Sequence, residues 1–347
     1  MARPSPASQL RASYPLISLT FTGVSFCETT DTEYAEDRIQ IVQDWKSVIS
    51  MIGTKEKVPS EIAYTDNGIK WGAEIPPHTK RYRWTKLQLE NTSTGEAEKI
   101  HEEMSSLSTY GAAAEKPPVE IVADFLSGVK TKLIENLDRQ YGTTLWKTLP
   151  ITLVITVPAV WSDAAKDRTM QAVRQAGFNT VDLPQLRRTT VITEPEAAAI
   201  YTIKSWKGSV HDAQLALGDG FVVCDMGGGT IDLISYRVAG IEPTVVEEAT
   251  IGTGDQCGGT FVDKAFLQWL EDKLGLRDFV KLAGCSAKDL SRTSLPPKVG
   301  KLLQTFTTTS KSGFSGTEEY YLALPVSLGL VDDEERGISD GEIEMTA

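Results

Sequence analysis

Three kinds of apolar pattern run along the chain. Val119, Val122, Phe125, Leu126, Val129, Leu133 and Leu137 recur at three- and four-residue steps behind Pro117-Pro118. That spacing predicts a long amphipathic helix entered through proline, whose missing N–H costs nothing in a first turn. The run Ile-Thr-Leu-Val-Ile-Thr-Val at 151–157 is rich in β-branched residues and ends at Pro158, which predicts a buried strand. Ser162 is placed to cap a helix over 163–176, and Gly177 to end it. A strand around 191–193 and a helix over 196–204 complete a β-α-β-α series, the mark of an α/β layer.

The flanking regions alternate with a period of two. A strand is predicted over 16–26 and another at Ile39 and Ile41. Residues 61–64 and 69–71, around Asp66-Asn67-Gly68, predict a hairpin in which Asn-Gly supplies positive φ angles. Residues 1–15 read as a loose, disordered polar arm, and 91–116 as a polar loop with a short helix. Farther on, 221–225 and 230–238 read as strands about a triple-glycine turn, 245–251 as a third strand and 260–274 as a helix. The C-terminal stretch fades into polar sequence with the acidic run Asp332-Asp333-Glu334-Glu335. A domain boundary is expected near 204–220, and the length of 347 residues suits two domains at about 150 residues each.

Composition narrows the function classes. With 35 basic against 47 acidic residues and a net charge of -12, the chain lacks the basic footprint of a nucleic-acid binder. No stretch approaches the ~20 apolar residues of a membrane span. Cys27, Cys224, Cys257 and Cys285 lie far apart with no C-x-x-C pair, so neither a zinc site nor a redox motif is indicated, and four buried or idle thiols in a reducing compartment are expected.

The sharpest chemistry is Asp225-Met226-Gly227-Gly228-Gly229-Thr230-Ile231-Asp232. Glycine weakens strands, so three in a row mark a tight turn or a close approach to a ligand. Successive turn N–H groups can form a concave anion site, to which Thr230 adds a hydroxyl. The carboxylates of Asp225 and Asp232 would repel a phosphate directly, but are useful across a hydrated Mg²⁺ or to orient water. A second glycine turn, residues 252–259, precedes a helix whose N-terminus favours phosphate. By itself it serves equally as a loop and a helix cap. Glu194, in Glu194-Pro195-Glu196-Ala197-Ala198-Ala199, reads locally as an acid at a helix start, and Lys86 as a surface lysine.

Together these segments resemble the nucleotide-binding domain of the seventy-kilodalton heat-shock chaperones, within the actin-like ATPase superfamily. The resemblance is carried by Val157-Pro158-Ala159-Val160-Trp161-Ser162-Asp163-Ala164 with its helix to Ala176-Gly177-Phe178, by Ile192-Thr193-Glu194-Pro195-Glu196-Ala197-Ala198-Ala199, by the Asp225 to Asp232 motif, and by Gly258-Gly259-Thr260-Phe261-Val262-Asp263. Trp161 and the Lys86 segment look like the atypical "twelve" branch. The resemblance implies a two-lobe, ribonuclease-H-like α/β fold holding ATP or ADP with Mg²⁺. It implies a first lobe over 16–204 and a partial second lobe over 205–347 ending in an acidic tail. It further implies a cytoplasmic chaperone of the stress response, with protein clients or co-chaperones as partners.

By the same resemblance Asp225, Gly227, Gly228, Gly229 and Thr230 match the second phosphate motif, and Asp232 its closing acid. Asp225 and Asp232 would hold the metal through water. Glu194 matches an acid near the Mg²⁺ and the attacking water, Lys86 the water-positioning lysine, and Gly258 and Gly259 the phosphate-side turn of the second lobe. Thr20 and Thr22 belong to the preserved end of a first phosphate loop. There, Leu16 stands where the family has Asp, Ser18 where it has Gly, and Leu19 where it has Thr. The segment supplying much of the adenine pocket and the peptide-binding domain are not found, so a fold incomplete at both ends and feeble hydrolysis are expected. A non-catalytic scaffold of the same fold, a sugar or acid kinase and a filament-forming actin relative are the alternatives.

Overall fold

In a computed structural model of the chain, the described residues are 9–14, 21–29, 39–47, 56–76, 79–83, 85–90, 116–206, 215–241, 244–255, 257–290, 295–317 and 319–345. They form two compact units, one of Met1–Pro76 and Arg81–Gly258, the other of Pro77–Lys80 and Gly259–Ala347. Among them no helix is long and apolar enough to cross a membrane.

The first unit is built on a mixed sheet of β1 (Gln9–Tyr14), β3 (Ser25–Thr29), β4 (Gln40–Ile41), β8 (Ile151–Val157) and β9 (Leu186–Thr193) in the order β4-β3-β1-β8-β9. β2 (Phe21–Gly23) pairs instead with β5 (Lys57–Pro59). The β4-β3-β1 side is antiparallel, whereas β1-β8 and β8-β9 are parallel. Parallel neighbours need crossover connections, which α1 (Pro118–Leu145) and α2 (Asp163–Gln175) supply. The apolar stripe of α1 is buried, as are Ile151, Leu153, Ile155 and Val157 on β8, and these form one core. Ser162 caps α2 by accepting from Ala165 N at 3.2 Å.

Three expectations change here. Gln9–Tyr14 belongs to the central strand rather than to a loose arm; its pairing with β8 on one side and β3 on the other holds a polar sequence in the sheet. The strand predicted over 16–26 is two strands, broken at Val24 so that each finds a different partner; residues 15–20 lie outside the described residues, as do 91–115. The hairpin of β6 (Ile62–Thr65) and β7 (Gly68–Trp71) is present, but only Gly68 takes a positive φ, +98°. Asn67 does not, so glycine alone absorbs the left-handed position.

After α3 (Glu194–Trp206), a second sheet follows: β10 (Gly220–Met226), β11 (Ile231–Gly240), β12 (Val245–Glu248) and β13 (Thr253–Asp255). Ala199 of α3 packs with Ile234 and Tyr236 of β11. That contact places 205–258 in the first unit, so the boundary falls between Gly258 and Gly259 rather than near 204–220.

The second unit comprises α4 (Gly259–Leu274), α5 (Leu276–Ala283), α6 (Pro297–Phe306), β14 (Tyr320–Ala323), β15 (Ile338–Ser339) and β16 (Glu342–Met345). Its C-terminal stretch is folded rather than a tail. The acidic run makes a turn in which Asp333 accepts from Arg336 N at 3.1 Å and Arg336 Nε at 2.6 Å. Ile338, Ile343 and Met345 are buried in the core with Phe266, Leu270 and Leu322.

Leu153 is fully buried in the central sheet. Leu153→Ala should cost about 2–5 kcal/mol, read as a lower urea midpoint with an unchanged slope.

Candidate functional site

Asp225 and Asp232 are directly opposed in the β10-β11 register, one on each side of the Gly227–Thr230 turn. Two residues facing each other across an antiparallel pair point to the same side of the sheet. Asp225 is half-buried and Asp232 fully buried. Asp232 Oδ2 accepts from Thr230 Oγ1 at 3.1 Å, while its Oδ1 is buried without a hydrogen-bond partner. Burial pushes the Asp232 carboxyl up from its ordinary range. The Thr230 hydroxyl pulls it back, Glu194 and Asp225 raise it through like charge, and the Lys86 ammonium lowers it. Asp232 therefore sits in the electrostatic field of all three.

The turn is shaped by close approach rather than by handedness. None of Gly227, Gly228 or Gly229 takes a left-handed φ, so the turn is not an anion nest of alternating hand. Gly227 N donates to Thr230 O at 2.9 Å, and Gly258 N donates to Gly229 O at 3.1 Å. A Cβ on Gly258 would lie 2.5 Å from Gly227 O and 2.7 Å from the carbonyl carbons of Gly228 and Gly229. Gly258 thus lies directly against the first turn. The start of the second glycine turn enters the sheet as β13, with Gly254 paired to Asp232. A Cβ there would stand 2.6 Å from Asp232 Oδ1. Among the described residues, nothing accepts from the amides of Gly228, Gly229 or Thr230.

Lys86 is not a surface lysine. It lies in a 3-10 turn, Thr85–Leu89, and its Nζ is 2.5 Å from Glu194 Oε1, with both side chains buried. Glu194 is the first residue of α3, immediately after β9, and Thr193 Oγ1 accepts from Glu196 N at 3.3 Å. The helix start delivers Glu194 inward, so its helix-end chemistry and its pairing with Lys86 coexist. Among the described residues, no group of three or more His, Cys, Asp or Glu is placed to hold a metal directly.

The family model described as Hsp70 protein matches residues 86–288, more than half of the chain, and spans Lys86, Glu194, both acids and both glycine turns. The chain belongs to the Hsp70 family. It is 24% identical over 317 residues to a chaperone protein HscA homolog of Acinetobacter baumannii, covering 86% of this chain and 46% of that protein. It is 33% identical over 176 residues to an HscA homolog of Acidovorax sp. (strain JS42), covering 50% of this chain and 23% of that protein. The chain spans less than half the length of the curated relatives it matches. Among solved structures, a non-polymerisable quadruple mutant of pCBH ParM covers 85% of this chain and 73% of its own, at 12% identity and a TM-score of 0.40. The α/β, actin-like class expected from the Hsp70 resemblance is the fold class of the protein.

Of the residues the Hsp70 resemblance assigns, Lys86, Glu194, Asp225, Asp232, Gly227, Gly228, Gly229, Thr230 and Gly258 converge in the first unit. Gly259 opens α4. Thr22 is fully buried with Oγ1 2.8 Å from Ser60 Oγ, so its hydroxyl is engaged within the core. Thr20, Leu16, Ser18 and Leu19 lie outside the described residues. The glycine turn 252–259 stands out in the sequence, but the pairing of Gly254 with Asp232 does not, because local sequence carries no sign of a strand partner some twenty residues away.

Asp232 holds its proton more tightly folded than unfolded, so stability falls as pH rises from the unfolded carboxylate range through its raised folded value. Asp232→Asn should raise Tm near neutral pH, and the gain should shrink as pH is lowered through that window; melts across pH read both. Gly258→Ala should cost about 1–3 kcal/mol by forcing the two turns apart, seen by chemical denaturation.

Proposed function

We propose that the chain is an Hsp70-type nucleotide-binding domain that takes ATP or ADP with Mg²⁺, with hydrolysis weak or lost. The observation that supports this reading is the unpartnered, buried Asp232 Oδ1 beside a glycine turn with free amides. A carboxylate oxygen left without a partner in the interior is costly, and folds keep such groups where a ligand satisfies them. The donor set suits the group: amides for phosphate oxygens, and carboxylates for the waters of a hydrated cation. Bound there, Mg²⁺ would neutralise charge on the phosphates.

The chain's own residues divide the rest. The amides of Gly228, Gly229 and Thr230 bind, and Asp225 and Asp232 orient water. Glu194 fixes the place of the Lys86 ammonium, from which it can position a nucleophile. Leu16, Ser18 and Leu19 supply neither a carboxylate nor the backbone freedom of the family's first loop. Phosphoryl transfer depends on all its electrostatic parts together, so turnover should be feeble. A chaperone role in a reducing, cytoplasmic compartment belongs to the same proposal, supported by the relatives' names and by four free cysteines.

Titration calorimetry should detect Mg²⁺-dependent ATP binding weaker than about 1 μM, and Asp225→Ala should weaken it about tenfold. Absence of binding at millimolar ATP, or an indifferent Asp225→Ala, favours the non-catalytic scaffold; tight binding with steady turnover shows that the altered first loop is dispensable.

A further inference from the structure

Lys86 has a second neighbour besides Glu194. Its Nζ stands 5.2 Å from the centroid of the Trp161 ring, inside the range of a cation–π contact. Lys86 is 4% exposed and Trp161 6%, so the ammonium meets the ring face with little water between them. An ammonium has three donors, and Glu194 Oε1 takes one of them at 2.5 Å. The carboxylate fixes the distance of the charge; the ring face limits the directions in which it can swing.

The backbone ties both partners to one place. Trp161 N donates to Pro158 O at 3.4 Å in the turn between β8 and α2. The next residue, Ser162, donates from N and Oγ to the two carboxylate oxygens of Glu90, at 2.8 and 2.9 Å. Glu90 directly follows the 3-10 turn that carries Lys86, and Arg168 Nε donates to Leu89 O at 2.5 Å. The start of α2 therefore clamps the lysine turn at two points while presenting the indole to the ammonium. On the other side Val160 reaches toward Gly254, next to Asp232: a Cβ on Gly254 would lie 3.2 Å from Val160 Cγ1 and 2.6 Å from Asp232 Oδ1.

We propose that Trp161 is a positioning residue: its ring face holds the Lys86 ammonium in the buried pair with Glu194, so that the lysine points consistently at the reacting water. The catalytic part of this statement rests on the ATPase reading above; the placement of the lysine does not. Acetylation of the folded protein by acetic anhydride, followed by peptide mass spectrometry, reads the placement directly. Lys46, whose side chain is 71% exposed, is the internal reference. Lys86 should be protected in the parent protein, should label like Lys46 in Trp161→Leu and Trp161→Met, and should stay protected in Trp161→Phe, which keeps a ring face. Far-UV circular dichroism confirms that each variant is folded, and the Met variant serves if the Leu variant does not fold.

Where turnover is measurable, Leu or Met should lower kcat by about tenfold with KM nearly unchanged, and Phe should restore most of it. Equal labelling of Lys86 in the parent, Leu, Met and Phe proteins overturns the proposal, as does a Phe variant indistinguishable from Leu. A parent protein that binds no ATP at millimolar concentration but gives the expected labelling pattern refutes the nucleotide-binding reading and leaves the placement standing.

Discussion

The buried Lys86–Glu194 pair is the constraint on which the rest of the site depends. Removing two charges from water is expensive, and only close geometry with further satisfied groups repays it. Here the partners come from elements 108 residues apart, a 3-10 turn and the first turn of α3. Bringing them together requires β9 to end where it does, α3 to begin at once, and the lysine turn to be clamped to α2. A pair of this kind adds little net stability over an apolar packing of the same volume. Its presence is better explained by what it holds: a fixed positive charge a short way from two more carboxylates.

Those carboxylates are arranged by a second constraint, the contact between two glycine turns. With Gly258 against Gly227, Gly228 and Gly229, no side chain fits between the backbones. The contact leaves the amides of Gly228, Gly229 and Thr230 free and presses Gly254 against Asp232. Asp232 is then shut off from water on one side and short of a partner at Oδ1. Charge balance makes the consequence plain: Asp232 feels one lysine, Lys86, against two further carboxylates, Glu194 and Asp225, so acid outweighs base around it. Burial and like charge both push the Asp232 proton affinity upward, in the direction expected of a site that gains from a cation.

Much of this was legible in the sequence because the signals were local. The Asp225 to Asp232 motif, the Ser162 cap and the apolar stripe of α1 each announce themselves within a few residues, and each stands where it was expected. What could not be read was long-range. Lys86 reads as a surface residue until the fold brings Glu194 and Trp161 to it. Gln9–Tyr14 has too few apolar residues to read as a central strand, and only its pairing on both edges puts it there. The acidic run 332–335 reads as a tail because charge outweighs the buried positions nearby, Ile338, Ile343 and Met345, which are spaced too far apart to form a run. Glycine was read correctly as a marker and incompletely as a cause: the triple turn needs it for proximity rather than for a left-handed backbone.

The first strand separates architecture from chemistry. β1 keeps its central place between β3 and β8, which demands only backbone pairing and therefore tolerates Gln, Arg and Ser. Phosphate chemistry, by contrast, depends on particular side chains, and Leu16 cannot stand in for the carboxylate that the Hsp70 resemblance expects at that position. Retaining the buried charge cluster is different, because each of its members would be destabilising if left alone. Lys86, Glu194 and Asp232 are therefore tied into one set by burial and charge, so that a substitution at any one of them is felt by the other two.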